Sequence, residues 1–273
     1  MESPPSVLQA LPVSPPPIAM ALPADGSFGA SGMRFTVGSV ISRTFSVWKR
    51  NFLAFAGISI VLHSPMLVST LILGAPGTSF QTEMIRGLVS LLGMVLAFIL
   101  AGALTFGVLQ SLNGSTPRFG EMVNAGFSRF WRILGVSLLV ALCVVAAMFA
   151  LVVPALLVFS AFWVAVPAVV AEPLSLKSAL SRSAQLTKGH RVTVFLVALV
   201  LVAIGMGIAM VIGAVGVSAT LGTSSAAVAL QFSIQLASAV VGSLTATAPA
   251  VGYHDLRVLK EGASTEQLAA VFS

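Results

Sequence analysis

Residues 133–171 read ILGVSLLVALCVVAAMFALVVPALLVFSAFWVAVPAVVA, a run of 39 residues without a charged side chain. As one helix the run would measure about 58 Å, whereas the hydrocarbon core of a bilayer is about 30 Å thick. The run therefore predicts two membrane spans joined by a turn. Pro154 lies near its middle, and proline disfavours helix at the residue before it. Two interpretations of the turn remain open, a tight hairpin at residues 152–155 or a kinked pair that turns within the outer headgroup layer.

The whole chain has the same apolar character. Hydrophobic residues make up 57% of the 273 residues and charged residues only 8%, and the mean hydropathy is +1.03. A typical globular chain is about one quarter charged, so this composition excludes an ordinary soluble domain. Membrane barrels alternate apolar and polar residues, whereas the apolar runs here are continuous and long. We therefore expect an all-α, polytopic membrane helical bundle.

Six apolar segments have the length of a membrane span. We predict spans near residues 52–74, 87–112, 133–152, 155–171, 192–217 and 226–252. Six spans place both chain ends on one side of the membrane, together with every basic residue except Arg86. By the positive-inside rule that side is cytoplasmic. We therefore expect a multi-pass protein of a bacterial inner membrane with both termini in the cytoplasm.

A basic, amphipathic stretch precedes the first, third and fifth spans. These stretches are residues 35–52, 119–131 and 174–191. We expect each to form an amphipathic interfacial helix with its apolar face in the membrane. Two roles remain open, simple anchoring of the spans or a cytoplasmic collar that binds anionic lipid headgroups. The net charge of +6 favours anionic lipid over nucleic acid as the partner.

In the first stretch the apolar residues recur at helical spacing. They are Val37, Ile41, Phe45, Trp48 and Phe52. This spacing predicts that the five side chains share one face of the helix.

Both chain ends are predicted to lie outside the bundle of residues 34–253. Residues 1–33 are rich in Pro, Ala, Ser and Gly and contain no Lys or Arg, which predicts a disordered cytoplasmic tail without the basic start of a signal peptide. Residues 254–273 are predicted to be a cytoplasmic tail. Within it, the sequence STEQ at 264–267 fits a capping box for a short helix.

Glu172, at the end of span four, is the best placed carboxylate. It can pair with Arg182, Lys188 or Arg191 of the basic stretch that follows, and His190 lies among them. These five residues form the candidate lipid-headgroup or structural ion-pair cluster.

Neither catalysis nor a cofactor is indicated by the sequence. Cys143 is the single cysteine, which excludes an intrachain disulfide, and no Cys/His group has metal-ligand spacing. We therefore expect no enzymatic activity, no cofactor and no metal.

Three polar residues lie within predicted spans. His63 falls near the middle of span one, and Gln231 and Gln235 lie four apart on one face of span six. An ionisable group at that depth suggests function by default. The alternative for His63 is a neutral ring bonded to a hydroxyl or to carbonyls freed by Pro65.

Several motifs resemble those of a known family. They are VPAVVAE (166–172), ALSRS (179–183), LTKGHR (186–191), FTVG (35–38), YHDLR (253–257) and KEG (260–262). The chain resembles, from about residue 35 onward, an uncharacterised bacterial polytopic family related to the membrane domain of glycerophosphoryl diester phosphodiesterases. In that family the phosphodiesterase activity resides in a separate soluble domain. The resemblance therefore implies the membrane architecture and not the enzyme activity.

Together these features predict a non-catalytic accessory or envelope-associated membrane module. Its expected contacts are anionic lipid, a protein partner or a second copy of the chain. The alternative is a small transporter or channel with a polar path near His63, Gln231 and Gln235. A lipid-modifying enzyme would need an acid–base or metal constellation that the sequence does not offer.

Overall fold

The computed structural model describes residues 35–74, 79–219 and 224–262. All regular structure in these ranges is helical, which confirms the all-α fold class. In chain order the α-helices are α1 (Val37–Arg50), α2 (Phe52–Leu73), α3 (Phe80–Leu112), α4 (Phe119–Ser128), α5 (Phe130–Ala150), α6 (Val152–Phe162), α7 (Ala165–Ala171), α8 (Leu176–Thr187), α9 (Arg191–Ala219) and α10 (Ser224–Arg257). A short π-helical turn, Val258–Gly262, continues α10.

Within the described ranges, six segments are long and apolar enough to cross a membrane. They are Phe52–Leu73, Phe80–Leu112, Phe130–Phe149, Val153–Ala171, Arg191–Ala214 and Ser225–Gly262. The chain is therefore a multi-pass membrane protein. The second segment begins seven residues before the predicted start at 87. The charged residues that marked that boundary pair with each other on one helix face, since Arg86 Nε lies 3.5 Å from Glu83 Oε1.

The uncharged run 133–171 turns once in its middle. The break lies at Leu151, between α5 and α6, rather than over the predicted residues 152–155. Pro154 is the third residue of α6, where a missing N–H is harmless because the first four helical N–H groups have no intrahelical acceptor. Residues 137–145 of α5 face residues 159–166, so the two helices are antiparallel. The run therefore turns back on itself at Leu151, on the N-terminal side of the predicted turn.

One end of the bundle buries most of the core, and we call it the packed end. It comprises α1, α4, α7, α8 and the last turns of α3 and α10. In α3 every buried residue lies at or after Ile99, whereas Leu88 and Leu91, nearer its start, are more than half exposed. Because α3 and α10 each measure about 50 Å, they exceed a hydrocarbon core of about 30 Å. Part of each helix therefore extends beyond the hydrocarbon.

The first short helix, α1, packs along α10. Trp48 Nε1 donates to Ser243 Oγ at 2.8 Å, and the buried stripe of α1 is Val40, Thr44 and Val47. Phe45, on the face that is predicted to lie in lipid, lies outside this stripe and is 38% exposed. Helix α10 therefore covers one face of α1 and leaves Phe45 uncovered.

The second short helix, α4, runs antiparallel to α3. Gln110 Nε2 donates to Glu121 Oε2 at 2.8 Å at one end of the contact, and Gly126 reaches Ile99 at the other. A Cβ on Gly126 would lie closer than van der Waals contact to the carbonyl oxygen of Ile99. Gly126 thus permits a backbone approach that any other residue would prevent.

The third short helix, α8, runs back along α6 and α7. Ser183 Oγ donates to the carbonyl of Ala161 at 2.8 Å, and Thr187 Oγ1 donates to the same oxygen at 3.2 Å. The end of α7 lies beside the middle of α8, where Arg182 contacts Glu172. All three short helices therefore pack lengthwise on a neighbouring helix.

The C-terminal segment continues the bundle. Residues 253–256 are buried, and α10 remains helical to Arg257 rather than ending in a tail at residue 254. The predicted N-terminal tail (1–33) and the predicted short helix after residue 264 lie outside the described residues.

Candidate functional site

An ion-pair network lies at the packed end, where α7, α8 and α10 meet. Its first carboxylate belongs to Glu172, the residue that ends α7. Arg182 donates to Glu172 Oε1 from Nε at 3.2 Å and from Nη2 at 3.1 Å. Tyr253 donates its hydroxyl to the same oxygen, and Arg257 Nη1 lies 4.0 Å away. Three helices therefore converge on one carboxylate.

The second carboxylate of the network is Glu261. Arg257 donates from Nε to Glu261 Oε2 at 2.7 Å, and Arg182 Nη2 contacts Glu261 Oε1. Two guanidinium groups thus share two carboxylates, and the network has no net charge. Tyr253, Arg257 and Glu261 recur every four residues, a spacing that places side chains on one helix face. That spacing is the sequence signal that could have added them to the predicted cluster.

The charges of the network reinforce one another. Partial burial of the Arg182 guanidinium opposes its charge, but hydrogen bonds and charge attraction from Glu261 and Glu172 raise the pKa of Arg182 above its ordinary value. Each carboxylate is therefore held by arginines. The geometry is that of a structural clamp that joins α7 and α8 to α10.

A separate ion pair fastens α1 to α10. Arg43 Nη1 lies 2.8 Å from Asp255 Oδ1, and His254 Nδ1 lies 3.4 Å from the same oxygen. The Asp255 side chain is buried, and a buried carboxylate needs such a partner because an unpaired one would be strongly destabilising. The sequence predicts His254 and Asp255 as part of the cytoplasmic tail, because neighbours in the chain give no indication that α1 packs beside them.

The remaining predicted cluster residues lie beyond the C-terminal end of α8. Six residues, about 9 Å along the helix axis, separate Arg182 from Lys188, so Lys188, His190 and Arg191 lie half the length of α8 or more beyond Arg182. Lys260 donates to the backbone carbonyls of Gln185 and Lys188, the latter at 3.0 Å. The structure therefore joins Glu172 with Arg182 and places the other three residues in a second basic region.

His190 belongs to that basic region. Its ring packs edge to face on Phe35, with 5.4 Å between ring centroids. Burial lowers the pKa of His190, and the positive charge of Lys260 lowers it further. The neutral form of the ring is therefore favoured in the folded protein.

Two of the three predicted intramembrane polar residues, His63 and Gln235, have hydrogen-bond contacts within or between helices. His63 Nδ1 lies 2.8 Å from the carbonyl oxygen of Ser59, one turn earlier in α2. Gln235 Nε2 donates to Thr70 Oγ1 at 2.8 Å, which links α10 to α2. Gln231 is half-buried one turn before Gln235. The bond from Gln235 gives it a role in helix packing, and no described contact joins these residues into a path.

Arg129 is a further basic residue of the packed end. Its guanidinium carbon lies 5.8 Å from the ring centroid of Phe106, which is cation–π geometry. Burial lowers the pKa of Arg129, and the charge of Arg132 lowers it further. An arginine directly before a span is a common anchor, so its position alone did not identify this contact.

Apolar grooves interrupt the surface of the described part of the spans. One, of about 420 Å³, lies between α5 and the α6–α7 pair. Another, of about 260 Å³, lies between α9 and α10. Neither groove is lined by His63, Gln231 or Gln235. Among the described residues no group of three His, Cys, Asp or Glu side chains is placed to hold a metal ion. No protein-family model, curated protein or solved structure matches the chain.

Proposed function

We propose that this multi-pass protein is a non-catalytic, membrane-embedded accessory module that contacts anionic lipid or a membrane partner at its packed end. The proposal places it in a bacterial inner membrane, with the packed end and both termini on the cytoplasmic side. The observation that carries the proposal is the concentration of positive charge at this end.

The charge imbalance is large. Of the described residues, twelve basic and four acidic ones belong to the packed end. The acidic ones all take part in ion pairs, since Asp255 pairs with Arg43, Glu121 with Arg118, and Glu172 and Glu261 with the arginines of the network. Four acidic charges offset four of the twelve basic ones and leave an excess of eight. Basic residues near a membrane surface attract anionic lipid by about 1 kcal/mol each.

The orientation follows from the same distribution. The opposite end of the bundle carries the described pair Glu83 and Arg86, which cancel. The positive-inside rule then favours a cytoplasmic packed end, and cytoplasmic leaflets carry anionic lipid. Charge and lipid composition therefore support the same orientation.

The proposal includes membership of the membrane family named above. Four of the motif segments that carry the resemblance supply the network, since Glu172, Arg182, Arg257 and Glu261 each come from a different motif. These motifs lie in two distant parts of the sequence, but their charged residues meet in one clamp. This meeting supports a common structural role for the motifs. A structural clamp of this kind accounts for the charged residues of these motifs without a catalytic role.

Lipid retention tests the proposal. The purified protein, extracted in mild detergent from membranes that contain phosphatidylglycerol and phosphatidylethanolamine, should retain phosphatidylglycerol in excess of its membrane share. Neutralising Lys188→Gln and Arg191→Gln together should reduce the retained phosphatidylglycerol several-fold, measured by mass spectrometry of the extracted lipid. Arg86→Gln, at the opposite end, is the control and should leave retention unchanged. Equal retention in the native and doubly neutralised proteins would contradict the proposal.

A further inference from the structure

The larger groove, between α5 and the α6–α7 pair, has the form of a lipid-chain site. Its volume of about 420 Å³ lies within the range of ligand sites, about 300–1,000 Å³. Its walls include Val140 and Val144 on one side and Phe159 and Trp163 on the other. These walls offer carbon surface along about 12 Å of α5, a shape suited to a flexible hydrocarbon chain.

Trp163, in the wall of the groove, is held in place by α10, which packs on the side of the indole away from the groove. A Cβ built on Gly252 of α10 would lie 2.5 Å from the indole of Trp163, so the ring packs directly on the α10 backbone. Trp163 also packs against the first core cluster, which includes Val164 and Tyr253. Because the indole is fixed between α10 and the groove, the groove is formed before any occupant enters it.

Basic side chains lie at the end of the groove nearest the packed end. Arg132 is exposed and precedes Ser137, the groove residue nearest that end of α5, by about 7.5 Å along the helix axis. On the other side, Leu176 packs over Gly135, which brings the start of α8 and its exposed Lys177 to the same level. The apolar groove suits an acyl chain, and the basic side chains at its end suit the anionic headgroup of the same lipid.

We infer that this groove binds one acyl chain of an anionic phospholipid from the leaflet at the packed end, with its headgroup between Arg132 and Lys177. The inference rests on the proposed contact with anionic lipid and gives that contact a location. The position of the groove along the bundle supports this inference. The groove begins just beyond the buried residues Ile133 and Val136 and continues towards the bilayer centre.

Tryptophan quenching tests the assignment, since Trp163 lines the groove. The chain has three tryptophans, and Trp48→Phe with Trp131→Phe leaves Trp163 alone. The full chain is reconstituted in two vesicle series. One contains brominated phosphatidylglycerol in unlabelled phosphatidylcholine, and the other contains brominated phosphatidylcholine in unlabelled phosphatidylglycerol. Half-maximal quenching should need about fivefold less brominated lipid in the first series, because basic residues favour the anionic lipid. Superimposed curves would overturn the inference.

Filling the groove provides the matched comparison. Ala141→Phe inserts a ring into the groove and should abolish the anionic preference. Ala146→Phe, also exposed on α5 but outside the groove lining, should preserve it. Arg132→Gln with Lys177→Gln should make the two curves equal while quenching itself persists. A preference that survives Ala141→Phe would overturn the assignment.

Further outcomes distinguish failure of the groove assignment from failure of the proposed function. If Trp48→Phe unfolds the protein, the same curves are obtained as the difference between the native chain and its Trp163→Phe variant. Absent quenching in both series, with a dimer in solution, would show that a second copy covers the groove and would overturn the inference. Retained phosphatidylglycerol with superimposed curves would remove the groove assignment alone, whereas loss of both would remove the proposed function as well.

Discussion

Tyr253 donates its hydroxyl to Glu172, a residue 81 positions earlier in the chain. The contact joins the last membrane-spanning helix to the end of α7, and Arg182 completes it from α8 at 3.1 Å. Since the phenol and the guanidinium both donate to one carboxylate oxygen, the position of three helices depends on the charge of one side chain.

Glu172→Gln should therefore destabilise the packed end. The amide keeps the shape of the carboxylate but offers a weaker acceptor to Arg182 and Tyr253, and the loss of a hydrogen-bonded charge costs about 1–3 kcal/mol. In a chain of this size about 1 kcal/mol lowers the midpoint of thermal unfolding by about 2–4 °C. The measurement is thermal unfolding in detergent. Glu121→Gln, which removes an exposed pair with Arg118, is the control and should change the midpoint little.

Gly126→Ala should disrupt the contact between α4 and α3. The added methyl group would clash with the backbone carbonyl of Ile99, which cannot move as a side chain can. Overpacking of this kind costs about 1–3 kcal/mol. Gly120→Ala, in the same helix, meets no atom within 4 Å and should be neutral or stabilising. Equal unfolding midpoints for the two variants would contradict the close approach.

His190 should make stability depend on pH. Because its folded-state pKa lies below the ordinary value of about 6.5, the unfolded chain binds the proton more readily. The contribution of the neutral ring is complete above about pH 6.5 and is lost as the pH falls through the lowered value. His190→Gln should reduce the difference in unfolding midpoint between acid and neutral pH. An unchanged difference in that variant would show that His190 does not contribute to it.

Cysteine labelling should establish the orientation. In a Cys143→Ser background, Ser115→Cys and Ser178→Cys place thiols at exposed positions of the packed end, and Gln81→Cys places one at the opposite end. A membrane-impermeant reagent applied to intact cells should label position 81 and not positions 115 or 178. Labelling at 178 before the cells are opened would reverse the proposed topology.

The sequence predicts the spans well because span length and hydrophobicity follow directly from bilayer thickness. It also names Arg182 among three possible partners of Glu172, since the basic stretch directly follows that carboxylate, and the structure pairs Glu172 with Arg182. It does not predict that α10 covers Val40, Thr44 and Val47 of α1, because an apolar pattern does not show which helix becomes a neighbour. The ion pair between Arg43 and Asp255 is missed for a related reason, as it depends on which helices become neighbours.

The packing of α1 against α10 also determines the order in which the protein can be completed. Trp48 and its hydrogen-bond partner Ser243 are separated by 195 positions, and the ribosome delivers the N-terminal residue long before its partner. Throughout translation of the intervening helices, the α1 surface that α10 later covers must remain exposed or be held by another factor. Helix α1 is thus synthesised well before its packing surface is complete, and a chain that stops before α10 would leave that surface open to cellular quality control.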